Sequence, residues 1–244
     1  MNAADHRGGL ERVSRRLLLR RTLSLGALSL LTGCNLEDDD AIDRVLWAMS
    51  RWNDRVQAVL FSRARMAPTY SEADITDPFP FNAYYPPEQV RHVDGDTWRL
   101  EISGLVSERH AWTLAELAAL PQASQITRHI CIEGWSAIGK WGGVPFRDFL
   151  ARISADTRAR YIAVRCADDY RSSIDMATAL HKQTLLALTF RDQPLPALYG
   201  FPVKLRVPTK LGFKNPKHIV SIEVTNVYPG GFWEDYGYNW FSGS

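Results

Sequence analysis

Apolar side chains recur at intervals of three and four at Ile42, Val45, Leu46, Met49, Trp52, Val56, Val59 and Leu60. That spacing predicts an amphipathic helix packing one face on the rest of the protein. Residues 66–87 are rich in proline and aromatics, lack a period, and predict an ordered loop. From Thr97 the pattern switches to alternation, with Trp98, Leu100 and Ile102 set against Arg99 and Glu101 before Gly104, which predicts a strand. Thr113 followed by Glu116 is a capping-box pattern that opens a short helix ending near Pro121. Residues 125–132 predict another strand. Residues 133–145, with four glycines and two tryptophans, predict a structured loop leading into a helix at 146–153. Residues 161–164, 185–190, 203–207 and 219–227 predict further strands, and 174–180 a helical turn. Strands outnumber helices without regular alternation, so the expected class is α+β, as one domain over residues 74–244.

A chain of 244 residues with 45% hydrophobic and 23% charged side chains has ample material for a core, which excludes a disulfide miniprotein and wholesale disorder. The net charge of +2 is not evenly spread. Residues 1–33 hold six arginines and two acids, so the 29 basic and 27 acidic side chains of the whole leave 23 against 25 for the remainder. A near-neutral body offers no basic face for nucleic acid.

Arg15 and Arg16 stand just ahead of the apolar, small-residue run at 22–31. At roughly 10 residues this run is too short to span a bilayer and fits the apolar core of a signal peptide. The pattern resembles the twin-arginine signal that exports folded proteins, with Leu18 where phenylalanine is usual. Leu31-Thr32-Gly33-Cys34 resembles a bacterial lipobox, in which Cys34 would carry lipid and tie the protein to a membrane surface; the alternative is a plain cleaved leader. The expected layout is a leader at 1–33, an acidic spacer and amphipathic helix at 34–73, and the main domain at 74–244, located in the periplasm or cell envelope.

Beyond Cys34 the chain keeps two cysteines, Cys131 and Cys166. In an oxidising compartment they suggest either a disulfide or a thiol occupied by a ligand. In Arg128-His129-Ile130-Cys131-Ile132-Glu133-Gly134-Trp135-Ser136, Cys131 ends an apolar strand beside two potentially cationic groups, which favours thiolate, the form that binds metals or attacks electrophiles. Lys204, Arg206, Lys210, Lys214 and Lys217 lie within 14 positions without an acid, interleaved with Gly and Pro. Such a loop suits a phosphate, or is a solvated charged loop.

Arg128-x-x-Cys131-x-Glu133-Gly134-Trp135-Ser136, its sequel Trp141-Gly142-Gly143-Val144-Pro145, the loop from Pro202 to Lys217, and Phe81-Asn82-Ala83-Tyr84-Tyr85 together resemble the molybdopterin-binding domain of the sulfite oxidase superfamily. The similarity is greatest to its bacterial periplasmic branch of methionine sulfoxide reductase catalytic subunits, and it runs from about Phe79 to the C-terminus. It implies a molybdenum–molybdopterin oxidoreductase in which Cys131 ligates the metal through sulfur, a fitting soft donor. It further implies that Asn82, Tyr85, Cys166, Tyr199, Lys204, Asn215, Pro216 and Lys217 stand at cofactor-contacting positions. It implies oxygen-atom transfer on a small-molecule substrate, S-oxide reduction in the first place and sulfite oxidation as the alternative. Electrons would come from an external carrier, either membrane quinol-linked or a periplasmic cytochrome. The extra immunoglobulin-like dimerisation domain of sulfite oxidases is not expected.

The chain departs from that branch at Cys166 for Thr, Tyr199 for Asn, Lys204 for Arg and Pro86 for Glu, and lysine for arginine keeps charge but loses bidentate geometry. Asp168-Asp169-Tyr170 and the aromatic segment 234–241 stand where the family builds its active-site rim, or are a solvated turn and a packed tail. Two readings compete with the enzyme: a scaffold with a Cys131–Cys166 disulfide, and a cysteine hydrolase using His129 or His181 as base.

Overall fold

The computed structural model describes residues 39–60 and 65–244. The expected leader, Cys34 and the start of the acidic spacer lie outside them. The chain divides into two compact units, residues 1–49 and 50–244. Helix α1 (Asp39–Leu60) contributes to both.

Among its described residues the second unit carries nine strands in two sheets. One sheet is ordered β1 (Glu101–Gly104), β9 (Ile219–Thr225), β4 (Tyr161–Cys166), β5 (Arg171–Asp175), with β1 and β9 parallel and the other pairs antiparallel. The other runs β2 (Ala123–Ile130), β3 (Ser136–Pro145), β6 (Leu185–Phe190), β7 (Gln193–Pro194), with β8 (Lys204–Arg206) also paired to β6. Short helices α2 (Leu114–Ala118), α3 (Phe146–Arg152), α4 (Met176–Ala179) and α5 (Phe232–Asp235) connect them. Both sheets feed one core, in which Ile102, Val164 and Ile222 from the first join Val144, Leu186 and Leu205 from the second. The α+β class expected from the sequence is therefore what forms, with its strands split between two sheets.

The capping box is made as its residues imply: Thr113 accepts from Glu116 N–H at 3.1 Å, and Glu116 accepts from Thr113 N–H at 2.8 Å. Three expectations are corrected. The glycine- and tryptophan-rich stretch expected as a loop is mostly strand β3. Its glycines serve close strand approach; a Cβ on Gly143 would sit 1.9 Å from the Leu186 carbonyl oxygen, beside the bulge where register shifts. The helical turn expected at 174–180 begins only at Met176, because Arg171–Asp175 pairs with β4, and Asp175 then caps α4 by accepting from Thr178 N–H at 2.8 Å.

The third correction concerns α1. Within the second unit it packs chiefly through its polar edge, with Val56 the one half-buried member of its apolar face. Asp54 accepts from Asn239 Nδ2 at 2.7 Å and from Phe241 N–H at 3.0 Å, and the Arg51 guanidinium lies over the Tyr228 ring at 5.3 Å. Trp52, Val59 and Leu60 remain exposed. The C-terminal segment presents backbone N–H groups that need acceptors, and the helix's polar edge supplies them.

Candidate active site

Strand β2 ends at Ile130, and the chain turns tightly into β3: Cys131 N–H donates to Trp135 O at 2.9 Å and Gly134 N–H to Cys131 O at 3.2 Å. The turn leaves Cys131 only 5% exposed at the wall of a cavity of about 360 Å³. Its Sγ accepts from Asn82 Nδ2 at 3.3 Å and lies 3.6 Å from Glu133 Oε2. Burial pushes the thiol up from its ordinary value, and the Glu133 carboxylate adds to the push, while the Glu133 backbone and Asn82 amide work the other way. The expectation that neighbouring cations favour thiolate is thus corrected. Arg128 points to the Tyr70 ring, 5.2 Å from its centroid, and burial holds His129 neutral.

Of the residues singled out in the sequence, Asn82, Cys131, Asn215, Pro216 and Lys217 line this one cavity. Tyr85 stands behind it, donating to Asp168 Oδ2 at 2.7 Å; burial and that bond raise its pKa, so it is a neutral donor. The Asn215 side chain faces inward, accepting from Arg206 Nη1 at 2.8 Å and Val207 N–H at 2.7 Å, so it shapes the loop. Cys166 is buried and does not line the cavity, its thiol raised by burial and by Asp168. Tyr199 is not brought to the cavity: its hydroxyl donates to Phe79 O at 2.8 Å and its ring packs on Phe79 and Phe190.

The basic loop is a buried structure, contrary to the solvated alternative. Lys204, Arg206 and Lys217 are 3%, 0% and 8% exposed. Arg206 donates to Arg128 O at 2.6 Å and to Asn215, and stacks on Trp141 with Cζ 5.8 Å from the ring centroid. Lys217 donates to Leu198 O at 3.2 Å and lies 4.4 Å from the Phe81 centroid; Lys204 lies 5.2 Å from that of Trp141. Among the described residues no carboxylate forms an ion pair with any of the three. Burial pulls Lys217 down to about 8, and burial with repulsion from Lys217 and Arg206 pulls Lys204 well below the usual lysine range. Of the three only Lys217 lines the cavity, where the Asp168 carboxylate acts on it from a distance, and burying cations this deeply is costly unless an anion joins them. Beside them His218 leaves Nε2 unpartnered, and His129 leaves both ring nitrogens unpartnered. Gly212 approaches so closely that a Cβ there would lie 2.5 Å from His129 Nε2.

This donor set fits a pterin phosphate at the cations, polar pterin edges at the orphaned nitrogens, and a metal at Cys131. Among the described residues no group of three or more His, Cys, Asp or Glu could hold a metal, so a metal bound at Cys131 needs ligands from a cofactor.

Sequence reading passed over Tyr84 as a cavity residue. It lines the wall, donates to the Asp168 carbonyl, and stacks on Phe232 at 4.6 Å and Tyr170 at 5.9 Å. Trp233 and Tyr238, 5.2 Å apart, complete an aromatic rim, and Tyr170 donates to Phe213 O at 2.6 Å. The rim residues come from separated segments; the resemblance points to Asp168–Tyr170 and to the 234–241 segment, which bring Asp168, Tyr170 and Tyr238 to the cavity, whereas Tyr84 and Trp233 are not singled out. The rival readings find no geometry: Cys131 and Cys166 are both free thiols, His129 makes no bond to sulfur, and His181 Nε2 lies 3.0 Å from Arg65 O.

A two-sheet α+β fold holding one thiol and one buried lysine at the wall of a single cavity is the setting for a cofactor held by sulfur and an anion-binding loop. The oxidoreductase molybdopterin binding domain family matches residues 87–233, more than half of the chain. The chain belongs to that family and is a molybdopterin-binding oxidoreductase. It is 61% identical over 235 residues, 96% of this chain and 90% of the relative, to the putative protein-methionine-sulfoxide reductase subunit YedZ1 of Azospira oryzae. It is 33% identical over 154 residues, 57% of this chain, to the protein-methionine-sulfoxide reductase catalytic subunit MsrP of Xanthomonas campestris, spanning 48% of that protein. Among solved structures, the sulfane dehydrogenase SoxCD of Paracoccus pantotrophus superposes with a TM-score of 0.53 at 18% identity, over 57% of this chain and 40% of that one, a likeness of fold.

Proposed function

We propose that this protein reduces methionine sulfoxide in exported proteins, with molybdenum held by molybdopterin and by Cys131. The observation that carries the proposal is the single thiol at the wall of a cavity that the buried Lys217 also lines, with the buried Lys204 and Arg206 in the same loop. The names of the relatives over 61% and 33% identity support the substrate. When bound, the cofactor supplies two-electron oxygen-atom transfer. The net reaction takes two electrons and two protons per S-oxide and releases thioether and water.

The chain's own residues bind and orient. The Asn82 amide steadies the sulfur of Cys131 by donating to it. Lys217 meets the phosphate at the cavity wall, Lys204 and Arg206 add positive charge from the buried loop, and the 212–217 loop supplies backbone groups to it. Asp168, fixed by Tyr84 and Tyr85, holds the rim in place. Tyr84, Trp233 and Tyr238 offer ring surfaces to a sulfur-bearing side chain, a favourable contact. The chain is proposed to leave the cytoplasm folded by the twin-arginine route of residues 1–33, to carry lipid on Cys34 ahead of the spacer and helix at 34–73, and to take electrons from a membrane quinol-linked carrier or a periplasmic cytochrome.

The test is protein expressed in a host that makes molybdopterin, assayed for metal and pterin and then for reduction of a methionine sulfoxide peptide with a viologen donor. Stoichiometric molybdenum and turnover lost in Cys131→Ser are expected. Oxidation of sulfite with no S-oxide reduction would replace the substrate, and material devoid of pterin would remove the cofactor.

A further inference from the structure

Three charged side chains line the cavity: Glu133, Asp168 and Lys217. They are not equally placed. Lys217 is 8% exposed, and its Nζ is committed to Leu198 O at 3.2 Å and to the Phe81 ring. Glu133 is exposed and Asp168 half-buried, so the charge that meets solvent at the cavity wall is negative. Both carboxylates are bonded by uncharged donors. Glu133 accepts from Trp135 Nε1 at 3.0 Å, and Asp168 accepts from the Tyr85 hydroxyl at 2.7 Å and Tyr170 N–H at 3.3 Å. Among the described residues neither forms an ion pair.

The charges nearby do not reverse that sign. Beside Trp233, Arg171 pairs with Asp235 and Lys214 with Glu234. Arg128 lies over the Tyr70 ring, and the buried Lys204 and Arg206 do not line the cavity. Asp169, exposed in the turn between β4 and β5, adds a further negative charge. Burial first, then the charges of Asp168 and Asp169, raise the pKa of the Tyr84 hydroxyl, which puts Asp169 within electrostatic reach of the cavity wall. Tyr84, Trp233 and Tyr238 line the same cavity. Carboxylates set among aromatic rings are the combination that receives a cation, since the rings attract it through their quadrupole and the carboxylates through their charge.

We propose that the cavity selects, among methionine sulfoxide peptides, those with lysine or arginine beside the oxidised residue, through Glu133, Asp168 and Asp169. The selection rests on the reaction proposed above and adds to it the charge of the substrate. A peptide with acidic neighbours has to bring carboxylates up to Glu133 and Asp168, and like charges brought together cost affinity and slow association.

The experiment uses the cofactor-loaded full chain, a viologen donor, and short blocked peptides in which methionine sulfoxide is flanked by lysines, by glutamines or by glutamates. kcat/KM should fall in that order, with the lysine peptide ahead of the glutamate peptide by at least about tenfold at low salt, and the ratio should shrink as salt is raised. Asp169→Asn, which keeps a residue suited to the positive φ of 63° there, should lower the ratio about twofold or more, and Asp169→Lys should lower it further. Each ratio is taken within one protein, so a change in cofactor occupancy cancels. Turnover of all three peptides with a ratio within about twofold, a ratio indifferent to salt, or a ratio unchanged in both variants overturns the selection while leaving the reaction standing. No turnover of any peptide by molybdenum-replete protein removes the reaction, and the selection with it.

Discussion

Asn82 reaches across 49 positions of sequence to donate its side-chain amide to Cys131 Sγ at 3.3 Å. The bond crosses from the irregular segment before β1 to the end of β2, and it opposes the burial and the Glu133 carboxylate that both disfavour thiolate. Asn82→Leu keeps approximate volume and removes the donor. The Cys131 thiol of cofactor-free protein should then titrate higher by about half to one unit, as loss of about 1 kcal/mol implies. The pH dependence of alkylation, read by mass at Cys131, measures it. An unchanged profile would show that the amide does not bias the sulfur.

Gly212 and His129 meet where the basic loop crosses β2, and no room exists for a Cβ: it would sit 2.5 Å from Nε2 and 2.9 Å from Cε1 of the ring. His129 is fully buried between Phe79 and Trp135 and has nowhere to retreat. Gly212→Ala should therefore displace the loop, cost about 1–3 kcal/mol of stability and lower pterin occupancy. His129→Ala in the same chain should restore much of both, giving a coupling energy of about 1 kcal/mol or more. Additive losses in denaturant titrations would refute the contact.

Much of this site was legible in the sequence because its parts lie in short continuous runs. The Cys131 motif and the Lys204–Lys217 loop each read as a unit, and the cavity joins them. What escaped was set by pairing at a distance. Residues 133–145 read as a loop because glycine is a poor strand former, yet Gly143 is there so that β6 can approach. The periodicity of α1 gave its type and extent, but not that Asp54 would be claimed by the C-terminal segment and the apolar face turned outward. Of the cations next to Cys131 in sequence, Arg128 turns to the opposite face of the strand and lies over the Tyr70 ring, and His129 is kept neutral by burial.

Buried lysines give the cofactor-free protein an unusual response to pH. Burial pulls Lys210 down to about 7 and Lys217 down to about 8, from an ordinary value of 10.5. From pH 7 upward the folded state releases these protons while the unfolded state still holds them, so stability rises with pH. Above about pH 9 the thiols of Cys131 and Cys166, both raised by burial, act in the opposite direction. Unfolding free energy should accordingly increase by on the order of 2 kcal/mol between pH 7 and 9. Phosphate or sulfate should flatten that rise by compensating the Lys217 charge. Urea midpoints at the two pH values check both statements, and a fall across this window would contradict the burial of the lysines.

Lys214 and Glu234 tie the cofactor loop to the aromatic rim. Both side chains are 1% exposed and form an ion pair, and Lys214 donates also to Ser173 O at 2.9 Å. Lys214 follows Gly212 and Phe213 of the cavity wall, and Glu234 follows Trp233 of the rim, so the pair fixes one wall against the other. Removing one partner strands a buried charge, and Glu234→Leu should cost about 3 kcal/mol or more. The double variant Lys214→Met with Glu234→Leu leaves no stranded charge and should recover most of that stability. It should not recover the rim, because Trp233 then keeps only its ring contacts with Phe232, Tyr236 and Tyr238 and loses the tie to the cofactor loop. KM for a methionine sulfoxide peptide should stay raised severalfold in the double variant, with kcat less affected. Recovery of KM together with stability would mean that Trp233 is positioned by aromatic packing alone.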